Sequence, residues 1–460
     1  MLERLCLRNI APFKDAEMDL APRLNLITGD NGLGKTLLLD CIFWALSRAW
    51  PATWDGRGVV PKVDGACIEW TIRDGDKLVA LDSRYSLRGV RWLGSRVAEC
   101  AGFDSEDTPD LRSIVIYQRA DGGMSIIDPL HSMGESEDSE QGEQFGYGFP
   151  LQQGAEFHGW RVLQFAESDV WNGLVLSDDN KPVCRGFIAD VEAWAFDRRY
   201  ASFEYLDQVV GALVGSEEEF KLIRETERVY LDDGRDYLVL SGPTGRFSSA
   251  HVPAGFRRVL ALAYMIVWAI RDNMVKAERK SYPSADRIVL LVDGPESYLH
   301  PKWQRTLVPG LSQAAGKGYE VQTVVATHSP LVLASIDTSF DAERDALFKL
   351  DLAGNQSLLQ KRRYSPHRDV NKWLTSDAFG LRTPGSCGVE RELAKAVSLL
   401  EGGELTPRTA KEMEDRLHVV LPDIDRFWRI WQDVGEKQGW LKPDGDYADW
   451  EGWSMGECKQ

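Results

Sequence analysis

The sequence predicts an α/β fold with a mixed central sheet, an antiparallel portion, a helical lobe and a separate helical region at the C-terminus. Two short apolar runs, residues 24–28 and 288–292, have the length and composition of strands that are buried on both faces of a parallel sheet. A glycine-rich segment follows the first run, and an aspartate follows the second. Because ligands bind open α/β sheets beyond the carboxyl ends of parallel strands, these two segments are the first candidates for a site.

The segment at residues 29–36 reads GDNGLGKT and matches the phosphate-binding pattern GxxxxGK[ST]. In this pattern the glycines let backbone N–H groups face phosphate oxygens, and the N-terminus of the next helix adds partial positive charge. Lys35 can reach the β- and γ-phosphates, and the Thr36 hydroxyl can ligate Mg²⁺. Residues 37–46 read as that helix, which disfavours a chance glycine-rich turn. The predicted nucleotide-binding residues are Gly29, Asp30, Asn31, Gly32, Leu33, Gly34, Lys35 and Thr36.

Two later strand ends carry further polar residues. Asp293 directly follows the apolar run at 288–292, where a carboxylate beside a phosphate-binding loop is the expected partner of Mg²⁺. A solvated aspartate at the end of a strand is the alternative. His328 follows another apolar run, and we expect it at the same edge of the sheet, near the γ-phosphate. Since a lone histidine is more often structural, this role depends on its proximity to Asp293.

Composition limits the possible functions. The 460 residues include 54 Lys and Arg against 71 Asp and Glu, a net charge of −17, which disfavours a generally basic nucleic-acid-binding protein but leaves a local basic groove possible. The seven cysteines form no CxxC pair, so reduced thiols are the default. Residues 1–10 do not resemble a signal peptide, and the longest apolar run, 259–270, is too short to cross a bilayer. We therefore expect a cytoplasmic protein without a membrane anchor.

The remaining chain alternates between hairpin and helix signals. Turns at residues 74–75 and 121–123 predict two hairpins that form an antiparallel patch after the first helix. Residues 187–205 predict a helical, aromatic-rich segment in which Trp194 and Phe196 are expected in the core rather than in a site. Near the C-terminus, Thr406 precedes a proline, as expected of a helix N-cap.

These signals divide the chain into two predicted domains. A head spans residues 1–369, and a helical domain spans 370–460. Within the head we predict a nucleotide-binding core at about 1–50 and 235–350, an antiparallel and helical insert at about 60–230, and a mobile acidic loop at 131–144.

The motifs together resemble the head of ABC-type ATPases of the AAA-fifteen and AAA-twenty-one group, whose relatives include RecF-like, SMC-like and overcoming-lysogenization-defect ATPases. The resemblance covers most of residues 1–379. The segment VLLVDGPESYLHPKWQR around Asp293 resembles that group's Walker B motif with its E-x-x-L-H-P continuation. ATHSPLVLAS around His328 resembles its switch-histidine segment, and HVPAGFRRVLALAY at 251–264 resembles a degenerate form of its signature. The residues at 10–13 resemble the opening of the group.

This resemblance implies a homodimer in which two heads enclose two ATP molecules with Mg²⁺. The phosphate-binding loop of one head would face the signature of the other, so Ala254 and Gly255 would meet the γ-phosphate held by the partner. His328 would be the switch histidine. Gln118 is the candidate for the glutamine that links the metal and the sheet to the helical lobe, and an exposed hairpin glutamine is the alternative.

Two positions depart from the family pattern. Gly294 stands where the family usually has the glutamate that orients the attacking water, and Pro253 stands in place of the signature serine. A general base contributes about 10²- to 10⁴-fold to a rate. We therefore expect good ATP binding with slow hydrolysis. Glu296 is a substitute candidate for the catalytic carboxylate, although it matches a separate family position.

The resemblance favours an ATP-gated dimer that controls a partner effector, such as a nuclease or toxin subunit, as in bacterial antiviral defence. Two alternatives remain open. A DNA-repair or chromosome-organising head would predict a long coiled coil or a basic groove, and the absence of sustained heptads disfavours it. An ATP-locked scaffold without turnover is favoured by Gly294 and Pro253.

Overall fold

A computed structural model describes residues 1–51, 58–75, 77–88, 91–92, 96–97, 113–130, 162–175, 182–197, 201–215, 220–316, 318–381, 384–402 and 405–442. The chain forms two compact units, Met1–Trp373 and Leu374–Gln460. The predicted acidic loop at 131–144 lies outside the described residues.

The strands are, in chain order, β1 (Leu2–Ile10), β2 (Phe13–Asp19), β3 (Leu24–Gly29), β4 (Cys67–Asp74), β5 (Lys77–Ser86), β6 (Arg91–Trp92), β7 (Arg96–Val97), β8 (Ser113–Gln118), β9 (Met124–Ile127), β10 (Val162–Phe165), β11 (Leu174–Val175), β12 (Pro182–Cys184), β13 (Lys221–Glu227), β14 (Tyr237–Gly242), β15 (Gly245–Ser248), β16 (Arg287–Asp293), β17 (Glu320–Ala326), β18 (Asp345–Ala353) and β19 (Gln356–Arg362). The helices are α1 (Lys35–Ser47), α2 (Glu167–Asn172), α3 (Gly186–Phe196), α4 (Ser202–Val214), α5 (Ala254–Lys280), α6 (Pro301–Gln304), α7 (Leu307–Ala314), α8 (Pro330–Ser335), α9 (Val370–Leu374), α10 (Cys387–Gly402), α11 (Pro407–Val420) and α12 (Phe427–Gln438).

The central sheet of the first unit has the strand order β10-β9-β8-β16-β17-β3-β18-β19. Strands β8, β16, β17, β3 and β18 are parallel, while β9, β10 and β19 add antiparallel pairs at the two sides. The fold is therefore an α/β fold with a mixed sheet, as the sequence predicts. Because β3, β16 and β17 are adjacent and parallel, the residues that follow them lie at one edge.

One assignment from the sequence is wrong. The hairpin of β8 and β9 does not belong to an antiparallel patch, because β8 pairs in parallel with β16 inside the central sheet. All six residues of β8 are buried, which is typical of a strand covered on both faces. The hairpin of β4 and β5 does belong to an antiparallel sheet, which has the order β2-β1-β4-β5-β6 with β7 also paired to β5.

Helix α1 connects these two sheets through a shared core. Its side chains Ile42, Phe43 and Trp44 are at most 5% exposed and belong to one cluster with residues of both sheets. A helix buried on most of its surface is held firmly, so the loop before α1 has a rigid support.

The helical lobe is built around α5. The apolar run at 259–270 lies within α5 and is buried throughout, as expected of a core helix. The helical segment predicted at 187–205 contains α3 and the start of α4. Trp194 is buried, but Phe196 is 73% exposed at the last turn of α3, so its assignment to the core is wrong.

The second unit contains α10, α11 and α12 around a core of its own. Thr406 caps α11 as predicted: its side chain accepts a hydrogen bond of 3.2 Å from the backbone N–H of Thr409. Trp431 and Leu417 are fully covered within this core. None of the helices in the described parts of the chain is both long and apolar enough to cross a membrane.

Candidate nucleotide-binding site

The phosphate-binding loop at residues 29–36 connects β3 to α1 and is shaped by two of its glycines. Gly29 has φ 140° and Gly34 has φ 96°, a region that other residues rarely adopt. A Cβ at Gly29 would lie 2.5 Å from the carbonyl oxygen of Leu350, and one at Gly34 would lie 2.9 Å from the Phe13 ring. Only glycine fits at these two positions, which are the positions that the sequence pattern fixes.

The Lys35 side chain folds over this loop. Its Nζ donates hydrogen bonds of 2.8 Å to the carbonyl oxygens of Gly29 and Asp30. Burial lowers the pKa of Lys35, and the negative charges of Asp293, Asp30 and Glu296 oppose that shift. The ammonium group is thus held inside the loop, where a phosphate would replace the two carbonyl contacts with a charged partner.

Thr36 and Asp293 are 257 residues apart in sequence but in direct contact. The Thr36 hydroxyl donates a hydrogen bond of 2.6 Å to Oδ2 of Asp293. Asp293 is 6% exposed, and burial raises its pKa while the hydrogen bond from Thr36 lowers it. A hydroxyl oxygen and a carboxylate oxygen side by side are the kind of ligands that Mg²⁺ prefers. The residues present therefore fit a Mg²⁺–nucleotide complex.

Glu296 and His328 join the same edge. One oxygen of Glu296 accepts a hydrogen bond of 2.8 Å from the Thr327 hydroxyl, and the other accepts one of 2.7 Å from the His328 N–H. The His328 side chain is exposed. Desolvation, followed by the charge of Lys35, lowers the pKa of His328, which favours a neutral imidazole at neutral pH.

Gln118 lies on the strand beside Asp293. It ends β8, and in the parallel register it pairs with Val292, the residue before Asp293. Gln118 is 5% exposed, so the alternative of an exposed hairpin glutamine is wrong. The sheet places this amide on the strand next to the proposed metal ligand.

Ala254 and Gly255 form the first turn of α5, after Pro253 at its N-cap. Ala254 is exposed, whereas Gly255 is buried. A Cβ at Gly255 would lie 2.4 Å from the carbonyl oxygen of Tyr298, in the turn that follows Asp293. Gly255 is therefore required by packing within its own chain, a reason that the motif alone does not reveal.

Asp40 is a residue of this region that sequence reasoning missed. It lies one helical turn after Thr36, and its Oδ1 accepts a hydrogen bond of 2.9 Å from the Tyr117 hydroxyl. Burial raises the pKa of Asp40 to about 7, and the negative charge of Asp293 contributes to that shift. The available signal was the i, i+4 spacing from Thr36, which places both side chains on one face of α1.

Family models match both halves of this site. A model described as "AAA domain" matches residues 4–53, which include the phosphate-binding loop. A second, described as "AAA domain, putative AbiEii toxin, Type IV TA system", matches residues 193–334, which include Asp293, Glu296 and His328.

The chain thus has an α/β fold with a phosphate-binding loop, and two segments of it match models of AAA domains. Solved structures similar to this chain include the SMC head domain from Thermotoga maritima, at 12% identity and TM-score 0.38, over 79% of this chain and 99% of that chain. Another is an SmcHead bound to the C-winged helix domain of ScpA, at 13% identity and TM-score 0.41, over 78% of this chain and 97% of that chain. A third is an Smc head domain with an extended coiled coil bound to the C-terminal domain of ScpA, derived from Pyrococcus furiosus, at 11% identity and TM-score 0.39, over 78% of this chain and 96% of that chain.

Proposed function

We propose that this ATPase head is an ATP-gated switch that binds Mg²⁺–ATP, pairs with a second copy and controls a partner effector. The observation that carries the proposal is the direct contact of Thr36 with Asp293. A hydroxyl from the phosphate-binding loop and a carboxylate from another parallel strand meet at one edge of the sheet, 2.6 Å apart. Lys35 lies in the same loop, and Glu296 ties the His328 segment to the turn after Asp293.

Each of these side chains has a task in binding. Lys35 and the loop amides would hold the β- and γ-phosphates, and Thr36 and Asp293 would hold Mg²⁺. When bound, Mg²⁺ neutralises charge on the phosphate oxygens. A neutral His328 imidazole has one donor and one acceptor nitrogen, through which it would contact the γ-phosphate or the attacking water.

Slow hydrolysis is part of the proposal. Gly294 has no carboxylate to orient water, and its backbone N–H donates to the Ala326 carbonyl oxygen at 2.9 Å. Glu296 has both oxygens engaged by donors of the His328 segment. Binding residues are in place while a free catalytic carboxylate is lacking at these two positions, which favours long-lived ATP complexes.

The homodimer is proposed from the position of α5. Its N-terminus presents Ala254 at the surface, and a helix N-terminus attracts phosphate. The sequence has one phosphate-binding loop, so a second loop facing this helix would come from a second chain. Control of an effector rests on resemblance and on the family description that mentions a toxin of a type IV system, an associational argument. A cytoplasmic location belongs to the same proposal.

A DNA-repair head remains the second candidate function. An ATPase assay with DNA distinguishes it from the effector switch, because stimulation of ATP turnover by DNA would favour the DNA-repair head. Tight ATP binding with no turnover would favour a scaffold.

The test is ATP binding and ATP-dependent association, measured by titration calorimetry and by sedimentation. Lys35→Ala is expected to weaken ATP binding by about 10- to 100-fold, because a charge-assisted contact to phosphate is lost. Lys437→Ala, an exposed lysine of α12, removes the same charge and is the matched control. Equal affinity of the two variants for ATP would refute the assigned site.

A further inference from the structure

The turn that follows Gln118 is firmly held. Within residues 119–123, the Arg119 N–H donates to the Gly123 carbonyl at 2.9 Å, and the Gly122 N–H donates back to the Arg119 carbonyl at 3.0 Å. The Arg119 guanidinium also donates to Ser125 Oγ at 3.0 Å and to the Phe165 carbonyl at 3.3 Å. A displacement of the end of β8 would therefore move this turn as one piece.

Arg258, on the second turn of α5, donates hydrogen bonds to the turn at residues 119–123. Its Nη2 donates to the carbonyl oxygens of Arg119 at 3.2 Å and Ala120 at 2.8 Å. Hydrogen bonds from a guanidinium to carbonyl oxygens are charge-assisted and directional. They connect α5 to a segment 138 residues earlier in the chain.

The same guanidinium also lies beside the turn that follows Asp293. It is 5.7 Å from the centroid of the Tyr298 ring. Tyr298 has φ 64°, a left-handed conformation that is unusual for an aromatic residue, and it is 78% exposed. Its carbonyl oxygen is the atom that Gly255 packs against. The start of α5 thus contacts both loops that leave the ends of β8 and β16.

We propose that Arg258 is a positioning residue that couples the nucleotide-binding edge of the sheet to the N-terminus of α5 in the same chain. A nucleotide that shifts Gln118 or the turn after Asp293 would shift Arg258, and Arg258 would carry the shift to Ala254 and Gly255. This inference rests on the proposed ATP switch, and it adds the residue through which ATP bound in one head would set the helix that faces the partner.

Arg257 provides a matched control because it is the adjacent arginine on the same helix. It forms an ion pair with Glu167 at 3.3 Å and lies over the Trp171 ring at 4.5 Å. Both partners belong to α2, whereas the partners of Arg258 belong to the two loops. Arg257→Ala and Arg258→Ala change charge and helix propensity equally.

The experiment is amide hydrogen exchange of the full chain, with and without Mg²⁺–ATP, in the wild type, Arg258→Ala, Arg257→Ala and Arg258→Lys. In the wild type and Arg257→Ala, ATP is expected to slow exchange both at the phosphate-binding loop and at residues 254–258, by about tenfold at the latter. In Arg258→Ala, the loop is expected to respond as in the wild type, and residues 254–258 to lose most of their response. Arg258→Lys, which keeps one charged donor, is expected to restore part of it.

The outcomes separate the two proposals. Absence of any ATP effect at the phosphate-binding loop of the wild type would refute the proposed function, and this inference with it. An ATP effect at the loop with equal responses at 254–258 in Arg258→Ala and Arg257→Ala would overturn the coupling alone. So would a loss of ATP response at the loop itself in Arg258→Ala, because that would show a general structural defect.

Discussion

The carboxylate of Glu296 holds the backbone N–H of His328 at 2.7 Å. Its second oxygen accepts the Thr327 hydroxyl at 2.8 Å, so the turn after β16 is clamped to the residues that follow β17. Both oxygens of this carboxylate are thus engaged by donors of the same segment. The geometry therefore favours Glu296 as a residue that positions His328 and disfavours it as the base that activates water.

Replacing Glu296 tests this assignment. Glu296→Gln removes the negative charge that strengthens both hydrogen bonds, and we expect a loss of about 1–3 kcal/mol of unfolding free energy. Thr327→Val removes one donor and leaves one oxygen of the Glu296 carboxylate without its hydrogen bond from Thr327. If Glu296 positions His328, both variants lower ATP turnover. Preserved or faster turnover in Thr327→Val, with turnover abolished in Glu296→Gln, would instead identify Glu296 as the base.

Restoring a carboxylate at position 294 is a second test. Gly294→Glu is expected to raise ATP turnover, because it places a carboxylate that could orient water directly after β16. However, Gly294 has φ 60°, and a Cβ there would lie 3.1 Å from Ser297 Oγ. The left-handed backbone costs a residue with a Cβ about 1–2 kcal/mol.

Gly294→Ala carries the same backbone strain without a carboxylate, so it is the proper reference. Steady-state phosphate release should be faster for Gly294→Glu than for Gly294→Ala. Equal rates would show that position 294 does not account for the slow hydrolysis that we propose.

Much of the fold follows from local sequence signals. The strands β3 and β16 are continuous apolar runs, and the pattern at 29–36 fixes the phosphate-binding loop between a strand and α1. The predicted meeting of Thr36 with Asp293 follows because the strands that carry them are parallel members of one sheet. A short apolar run that ends in a polar residue is enough to predict both a buried strand and a candidate site residue at its end.

Other features depend on distant contacts that no local pattern encodes. The partner of β8 is β16, more than 150 residues later, and the hairpin signal at 121–123 is the same whichever sheet it joins. Phe196 reads as a core residue by composition, but it ends α3 on the exposed side. The hydrogen bond from the Arg258 side chain to the Ala120 carbonyl oxygen could not be predicted either, because an arginine in a helix is usually solvated.

Asp40 predicts a pH dependence of stability. Its pKa is raised from 3.8 to about 7 by burial in the folded chain, so the folded state binds this proton more tightly than the unfolded state does. The protonated Asp40 therefore contributes to the unfolding free energy fully below its unfolded pKa of 3.8, and this contribution is lost as the pH rises toward 7. A shift of this size corresponds to roughly 4 kcal/mol.

Asp40→Asn keeps an oxygen to accept the Tyr117 hydroxyl but cannot ionise. We expect this variant to exceed the wild type in stability at pH 8, and the excess to shrink steadily toward pH 5. Urea unfolding of the wild type and of Asp40→Asn, in buffers without Mg²⁺ or nucleotide, measures the two unfolding free energies at each pH. A difference between the two proteins that stays constant from pH 5 to pH 8 would rule out a proton on Asp40 as the cause.

Asp337 predicts a stability effect at the end of the first unit. Its carboxylate accepts the Tyr364 hydroxyl at 2.6 Å, the Arg368 N–H at 2.6 Å and the Trp373 indole N–H at 3.3 Å. The residue lies two positions after the end of α8, which begins two positions after His328. Three donors on one carboxylate bind the segment at 364–373 to this helix.

Asp337→Ala removes the one acceptor that these donors share, although the Tyr364 hydroxyl keeps the Leu333 carbonyl oxygen at 2.8 Å, and we expect a loss of about 3 kcal/mol of unfolding free energy. Tyr364→Phe removes one donor and leaves the carboxylate with the others, so its loss should be about 1 kcal/mol. Chemical denaturation of both variants gives the comparison, with amide exchange in α8 as the local readout. Equal losses would mean that the tyrosine contact carries the whole effect, and the carboxylate would then not be the centre of the cluster.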